Sequence, residues 1–214
     1  MTAFTLLLGG DLLINERSRN MISGTRVIAA DGGMRHAEAF GVTPELWVGD
    51  FDSTPATLLK RWTDVPRQPY PARKAATDGE IAVQAALERG ATSLTLAGAL
   101  GGERTDHGLM HLFQALSLAE QSIPTTLTSG EEEAYPLLAG EHDFDLPAQS
   151  LFSVIALSDL SGLSISNARY PLEEIELSFG SSRTISNVAE GPITISIRAG
   201  KAILLARPFD LTGA

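Results

Sequence analysis

The chain has 214 residues, room for one large domain or two small ones, and its 43% hydrophobic and 20% charged content is that of a globular protein, not a disordered one. A formal net charge of -10 argues against a diffuse nucleic-acid binder, and no apolar run approaches the ~20 residues that span a bilayer, so neither nucleic acid nor membrane is an expected partner. With no cysteine, a disulfide framework and a thiolate metal site are both excluded, and the cytoplasm is the expected compartment.

The opening residues, 1–10, carry no basic region and one short apolar run, which reads as a first strand and not as a signal peptide. Short apolar runs at 4–8 and 26–30 predict strands, each followed by Gly and Asp. Residues 34–40 predict a helix stopped by Gly41, and 46–48 a strand ending in Gly49-Asp50. Ile81, Ala82, Ala85 and Ala86 recur at helical spacing within 78–89. A strand at 93–97, a glycine loop, a helix at 106–120 and a strand at 125–128 follow. Strand, loop and helix in repetition imply a parallel sheet covered by helices. Beyond Ser129 the pattern becomes short β-type segments at 150–157, 163–167, 175–179, 193–197 and 202–205, separated by turn signals such as Gly180 and Gly191-Pro192. The expected fold is therefore an N-terminal parallel-sheet α/β domain (1–129) plus a C-terminal antiparallel β-sandwich (130–214).

The acids fall at the predicted strand ends. Asp31-Gly32-Gly33 follows one strand, and Gly49-Asp50-Phe51-Asp52-Ser53 follows another. Carboxyl ends of parallel strands share one edge, where ligands bind, so Asp31, Asp50 and Asp52 should converge there. In an extended stretch Asp50 and Asp52 would point the same way. Clustered carboxylates call for a cation, and a hard oxygen-seeking ion such as Mg²⁺ is the simplest. Asp78 opens the next helix behind Thr77, an expected N-cap, and Lys74 offers a point charge to a polyphosphate. Gly98, Gly101 and Gly102 belong to a loop suited to cradling a nucleotide; Arg104 has the fork for phosphate oxygens, and Asp106 and His107 follow it. Glu131-Glu132-Glu133 reads as a solvated face.

In this order, Asp31-Gly32-Gly33, Gly49 to Ser53, Thr77-Asp78 and the loop ending in Asp106-His107 closely resemble the thiamine pyrophosphokinase family. Tyr170-Pro171-Leu172 and Ser186-Asn187 resemble its C-terminal motifs, so the likeness covers nearly the whole chain. There are departures: Ala75 replaces an acid common in the family, Glu103 lengthens the glycine loop by one residue, and Tyr170 stands where many members carry Trp. The resemblance implies a homodimer with its site between subunits, in which the pyrophosphoryl group of ATP passes to the hydroxyl of thiamine, giving thiamine diphosphate and AMP. It implies Asp31, Asp50, Asp52 and Asp78 as ligands of Mg²⁺ and Asp50, Asp52, Asp78 and Arg104 as catalytic, with Asp78 or Asp52 as candidate base. Lys74, Thr77, Gly98, Gly101, Gly102, Arg104, Asp106 and His107 would bind ATP. Tyr170, Ser186 and Asn187 would bind thiamine. The competing readings are a pyrophosphokinase of another small alcohol, such as a hydroxymethyl-pterin, a non-catalytic nucleotide- or thiamine-binding module, and a phosphohydrolase.

Overall fold

The computed structural model describes residues 2–52, 54–70, 77–102 and 104–212. Ser53, Lys74, Ala75 and Glu103 lie outside them, and with them the expected phosphate contact of Lys74. The chain divides into two compact units: residues 1–114 with 122–130, and 115–121 with 131–214.

The first unit is built on a six-stranded parallel sheet. Its strands are β1 (Ala3–Leu7), β2 (Arg26–Ala30), β3 (Leu46–Gly49), β4 (Arg67–Pro69), β5 (Ser93–Ala97) and β6 (Thr125–Thr128). Their spatial order is β6-β5-β1-β2-β3-β4, and every pairing is parallel. The central strands are buried along almost their whole length. They therefore read in the sequence as unbroken apolar runs, as strands covered on both faces do. The helices are α1 (Glu16–Ile22), α2 (Arg35–Phe40), α3 (Ala56–Arg61), α4 (Asp78–Glu88) and α5 (Thr105–Glu120), the last with its residues from Ala115 onward counted in the second unit. Leu7, Val27, Ala29, Met34, Phe40 and Trp47 belong to one core cluster between sheet and helices.

Two features of this topology position the site. From β1 the chain winds outward through β2, β3 and β4, then crosses back to β5 on the other side of β1. The winding direction thus reverses between β1 and β5, and an open α/β sheet leaves a crevice at the carboxyl ends of such a strand pair. The expected helix over 34–40 begins instead as a 3-10 turn, Asp31–Met34, running straight into α2. The Asp-Gly-Gly segment is thus folded into the mouth of the crevice rather than leading away from it.

The second unit carries β7 (Glu133–Leu137), β8 (Gly140–Phe144), β9 (Leu151–Ala156), β10 (Leu160–Ala168), β11 (Leu172–Leu177), β12 (Asn187–Ile197) and β13 (Ala202–Arg207). All of the pairings among them are antiparallel. Gly191-Pro192, expected as a turn between strands, lies inside β12. Before the bend Asn187 and Val188 pair with β9; after it residues 193–197 pair with β8, and β10 runs alongside. One long strand thus belongs to both sheets, a known way of making a sandwich corner. Leu137, Phe152, Val154, Leu163, Ile165, Ile195 and Leu204 fill the core between them. The Glu131–Glu133 reading needs correction at its last residue. Glu133 is only 3% exposed, because β7 pairs it with Ala206 of β13, and the Tyr135 hydroxyl donates to its Oε2 at 2.6 Å. No described helix is long and apolar enough to cross a membrane.

Candidate active site

The crevice at the β1–β5 junction is a cavity of about 690 Å³, and the described residues that line it all belong to the first unit. Its floor is made of two glycine loops pressed backbone to backbone. Leu8 N–H donates to the Ala97 carbonyl at 2.7 Å and Gly10 N–H to the Gly98 carbonyl at 3.1 Å. A Cβ on Gly10 would lie 2.4 Å from the Gly98 oxygen, and one on Gly98 would lie 2.6 Å from the Leu8 oxygen. No side chain fits at either position, so only glycine lets the two loops meet this closely.

Around this floor stand groups from four segments. Asp11 follows β1, Asp31 and Gly32 follow β2, and Gly101 and Gly102 follow β5. The fourth is the start of α4, where Thr77 caps the helix. Its hydroxyl accepts from Glu80 N–H at 3.2 Å, and the Glu80 carboxylate accepts from Thr77 N–H at 2.7 Å. This reciprocal capping box commits the Thr77 hydroxyl to the helix. It also holds Asp78 and Gly79 at the cavity wall.

The four acids expected to share a cation are not all brought to the cavity. Asp31 and Asp78 line it, whereas Asp50 and Asp52 do not. The extended geometry assumed for residues 50–52 is absent: Phe51 is left-handed (φ 62°), and Asp52 N–H donates to Asp50 Oδ1 at 3.1 Å. That local turn removes the strand-like alternation on which the shared direction of the two carboxylates depended. Among the described residues no group of three His, Asp or Glu side chains is close enough to hold a metal ion. Asp31 itself is held firmly. Its carbonyl accepts from Trp47 Nε1 at 2.9 Å, its Oδ1 from the Thr54 hydroxyl at 3.2 Å, and the Gly49 backbone packs against its Cα. Asp50 thus continues the chain from a residue in contact with Asp31.

Arg104 lines the cavity, but its fork closes on Asp106 and not on open space. Nε donates to Oδ1 at 2.9 Å and Nη2 to Oδ2 at 2.8 Å. The guanidinium holds the Asp106 carboxyl well below the usual range, at about 2, so the pair stays charged through neutral pH. His107 lines the cavity and meets His111 edge to face. The His111 Nδ1 lies 3.0 Å from the Ala99 carbonyl, and burial lowers its pKa. The ring is therefore neutral near pH 7, with Nδ1 as the donor.

Three lining residues with ionisable side chains were not singled out by sequence: Asp11, Arg35 and His111. Asp11 carried a usable signal, since Gly9-Gly10-Asp11 after the first apolar run is the same order of strand, glycine and acid that marked Asp50. Arg35 and His111 sit within helical stretches and carry no motif.

In the second unit Tyr170, Ser186 and Asn187 come together. Tyr170 is 62% exposed, and its backbone is clamped by the buried Asn187 side chain. Asn187 Oδ1 accepts from Tyr170 N–H at 3.1 Å, and Nδ2 donates to the Tyr170 carbonyl at 2.9 Å. The same Oδ1 also accepts from Val188 N–H at 2.8 Å. The Asn187 amide, expected to face a ligand, is thus committed to backbone and orients Tyr170 instead. Ser186 is left-handed (φ 58°) and exposed, with its N–H donating to Ser153 Oγ at 3.0 Å.

Comparison with known proteins bears on both units. Residues 19–127 match the family model described as the thiamin pyrophosphokinase catalytic domain, and residues 141–202 match its vitamin B1 binding domain. The thiamine pyrophosphokinase of Bacillus subtilis (strain 168) is 28% identical over 151 residues, 69% of this chain and 70% of that one. A crystal structure of thiamine pyrophosphokinase from Bacillus subtilis superposes with a TM-score of 0.85 at 24% identity, over 97% of this chain and 100% of that chain. One of thiamin pyrophosphokinase from Geobacillus thermodenitrificans gives 0.83 at 26%, over 98% and 99%. With its cavity at the turning point of the parallel sheet, its sandwich of antiparallel strands and a catalytic-domain match over half its length, the chain belongs to the thiamin pyrophosphokinase family.

Proposed function

We propose that this chain transfers the pyrophosphoryl group of ATP to the hydroxyl of thiamine, giving thiamine diphosphate and AMP. The observation that carries the reading is the cavity itself: a backbone-lined glycine floor beside Asp31, Asp78 and Arg104, in a chain whose two halves match the two domains of this family. The exposed glycines Gly101 and Gly102 and a helix start suit phosphate oxygens. ATP is assigned to this cavity through Gly98, Gly101, Gly102, Arg104 and His107, with Thr77 and Asp106 acting by shaping it.

The donor set fits Mg²⁺. Every carboxylate at or beside the cavity is a hard oxygen ligand, and Mg²⁺ is ordinarily held by one or two carboxylates together with substrate phosphates, without a protein cage. When bound, the ion supplies charge neutralisation of the phosphates. Asp31 and the adjoining Asp50-Asp52 loop are the residues that would hold it. In the reaction, the thiamine oxygen bonds to the β-phosphorus as the bond from that phosphorus to the oxygen bridging to the α-phosphate breaks, and AMP leaves. The hydroxyl proton passes to a carboxylate. Of the two candidates, Asp52 and Asp78, only Asp78 lines the cavity, so it takes this role. Arg104 stabilises charge on the departing AMP after exchanging its hold on Asp106.

Tyr170 offers an aromatic face to the cationic ring of thiamine, and Ser186 a hydroxyl beside it. We assign thiamine to this patch, residues 1–129 to catalysis, and 130–214 to thiamine binding and dimerisation. A homodimer in the cytoplasm, with the site completed between subunits, is the assembly we propose. It is supported by the apolar residues Leu109, Met110 and Phe113, each about half exposed on α5. The test is a panel of thiamine and a hydroxymethyl-pterin with ATP and Mg²⁺, scored for AMP against ADP. AMP released with thiamine alone supports the assignment; AMP released with the pterin and not with thiamine overturns it.

A further inference from the structure

Arg104 and Arg35 are the two described arginines that line the cavity, and they differ in one respect that bears on a charged ligand. Arg104 is neutralised by Asp106. Arg35 is held only by neutral acceptors: its Nη2 donates to the carbonyls of Gly9 at 2.7 Å and Gly10 at 2.9 Å, and its Nη1 reaches the Gly32 carbonyl at 3.4 Å. Among the described residues no carboxylate pairs with it. Carbonyl bonds fix the plane of a guanidinium without closing it in an ion pair. Three of its five N–H groups are engaged, and the donor on Nε and one on Nη1 remain. The acceptors are themselves fixed. The Gly10 carbonyl also meets His36 Nε2 at 3.0 Å, and burial, aided by the Arg35 charge, lowers the pKa of this ring, so it stays neutral and donates. Gly10 has no room to shift against Gly98.

We propose that Arg35 is a polyphosphate-binding residue of the nucleotide, held ready by the carbonyls of the Gly9-Gly10 loop. The inference rests on the reading that this cavity takes ATP. It adds a cation that the loop around Arg104 does not supply, since Arg35 need break no ion pair to reach a phosphate.

The test compares Arg35→Ala and Arg35→Lys with the unaltered chain, using dissociation constants for ATP with Mg²⁺ and for adenosine, which has no phosphate. Arg35→Ala should weaken ATP roughly ten-fold or more, the scale of a lost charge-assisted contact, and leave adenosine within about two-fold. Arg35→Lys should recover part of the ATP affinity, because it restores the charge without the double carbonyl contact. Equal weakening of ATP and adenosine in both variants would mean that Arg35 merely supports the loop, and would overturn the proposal. So would unchanged ATP binding in Arg35→Ala. If the unaltered chain bound neither ligand, the nucleotide reading itself would fall, an outcome distinct from either of these.

Discussion

Gly32 and Gly33 are adjacent, yet alanine at the two positions should have very different effects. Neither has a positive φ, so conformational freedom is not at issue. A Cβ on Gly33 would lie 2.0 Å from the Leu7 carbonyl oxygen, 2.5 Å from its carbon and 2.9 Å from the Leu8 carbonyl carbon, all inside the 3.0 Å limit of real contacts and all backbone. The end of β1 cannot yield easily. Leu7 is paired in register with Ala29 on one side and Ala97 on the other, and Leu8 N–H bonds to Ala97 at 2.7 Å. Forcing it aside costs about 1–3 kcal/mol in packing and about 1 kcal/mol for the weakened hydrogen bond. At roughly 2–4 °C per kcal/mol for a chain of this size, Gly33→Ala should lower Tm by roughly 5–15 °C. At Gly32 the nearest atom is Arg35 Nη1 at 3.5 Å, an ordinary contact. Gly32→Ala should therefore stay within about 1 kcal/mol of the unaltered chain. Thermal melting followed by far-UV circular dichroism measures both. Equal shifts in the two variants, or no shift for Gly33→Ala, would refute the close-approach argument.

Asp31→Asn and Asp78→Asn should each lower turnover by about 100-fold or more while far-UV spectra and Tm stay near those of the unaltered chain; near-normal kcat would remove that acid from the site. Thr77→Ala should cost about 1 kcal/mol by loss of the capping box, read from denaturant unfolding. Tyr170→Ala should raise KM for thiamine and leave KM for ATP unchanged, and Asn187→Ala should reproduce the effect by releasing the Tyr170 backbone. The pKa values of His36 and His111 are lowered from 6.5 in the folded chain. Below pH 6.5 the unfolded state takes up protons that the folded state does not, so stability falls as pH drops from 6.5 toward the native values, and above 6.5 these rings add no slope. Unfolding free energies measured across pH 5–7.5, with His36→Gln and His111→Asn as controls, should show a slope that each substitution reduces.

What could be read from the sequence follows from where each physical signal resides. β2, β5 and β6 were legible to the residue: β2 is a continuous apolar run after Arg26, as burial on both faces makes it, whereas β5 (Ser-Leu-Thr-Leu-Ala) and β6 (Thr-Thr-Leu-Thr) were marked by Leu and β-branched Thr at strand length. The start of α4 was legible because Thr77 stands as an N-cap directly before a helical apolar pattern; the structure adds Glu80 as its capping-box partner. Short elements escaped. α1 has seven residues and is capped by Asn15 with Ser18 in place of Glu; β4 is a three-residue edge strand ending in Pro69; β7 carries Glu133 and Pro136. β8, Gly-Glu-His-Asp-Phe, pairs with β12 alone and has little apolar character. For the site, sequence placed Asp31 and Asp78 at one rim. It missed the turn at Phe51 that removes Asp50 and Asp52 from the cavity lining, because a left-handed phenylalanine has no local signature. Arg35 was invisible for a different reason: what marks it is the pair of carbonyls it bridges, and those depend on strand order.

The most direct measurement follows both transferable phosphorus atoms. Incubated with thiamine, Mg²⁺ and ATP labelled separately at the β- and γ-phosphorus, the protein should deliver both labels to the thiamine product in equal amounts, with one AMP released for each. Transfer of the γ-label alone with release of ADP, or both labels appearing as free phosphate regardless of thiamine, would contradict pyrophosphoryl transfer to the thiamine hydroxyl.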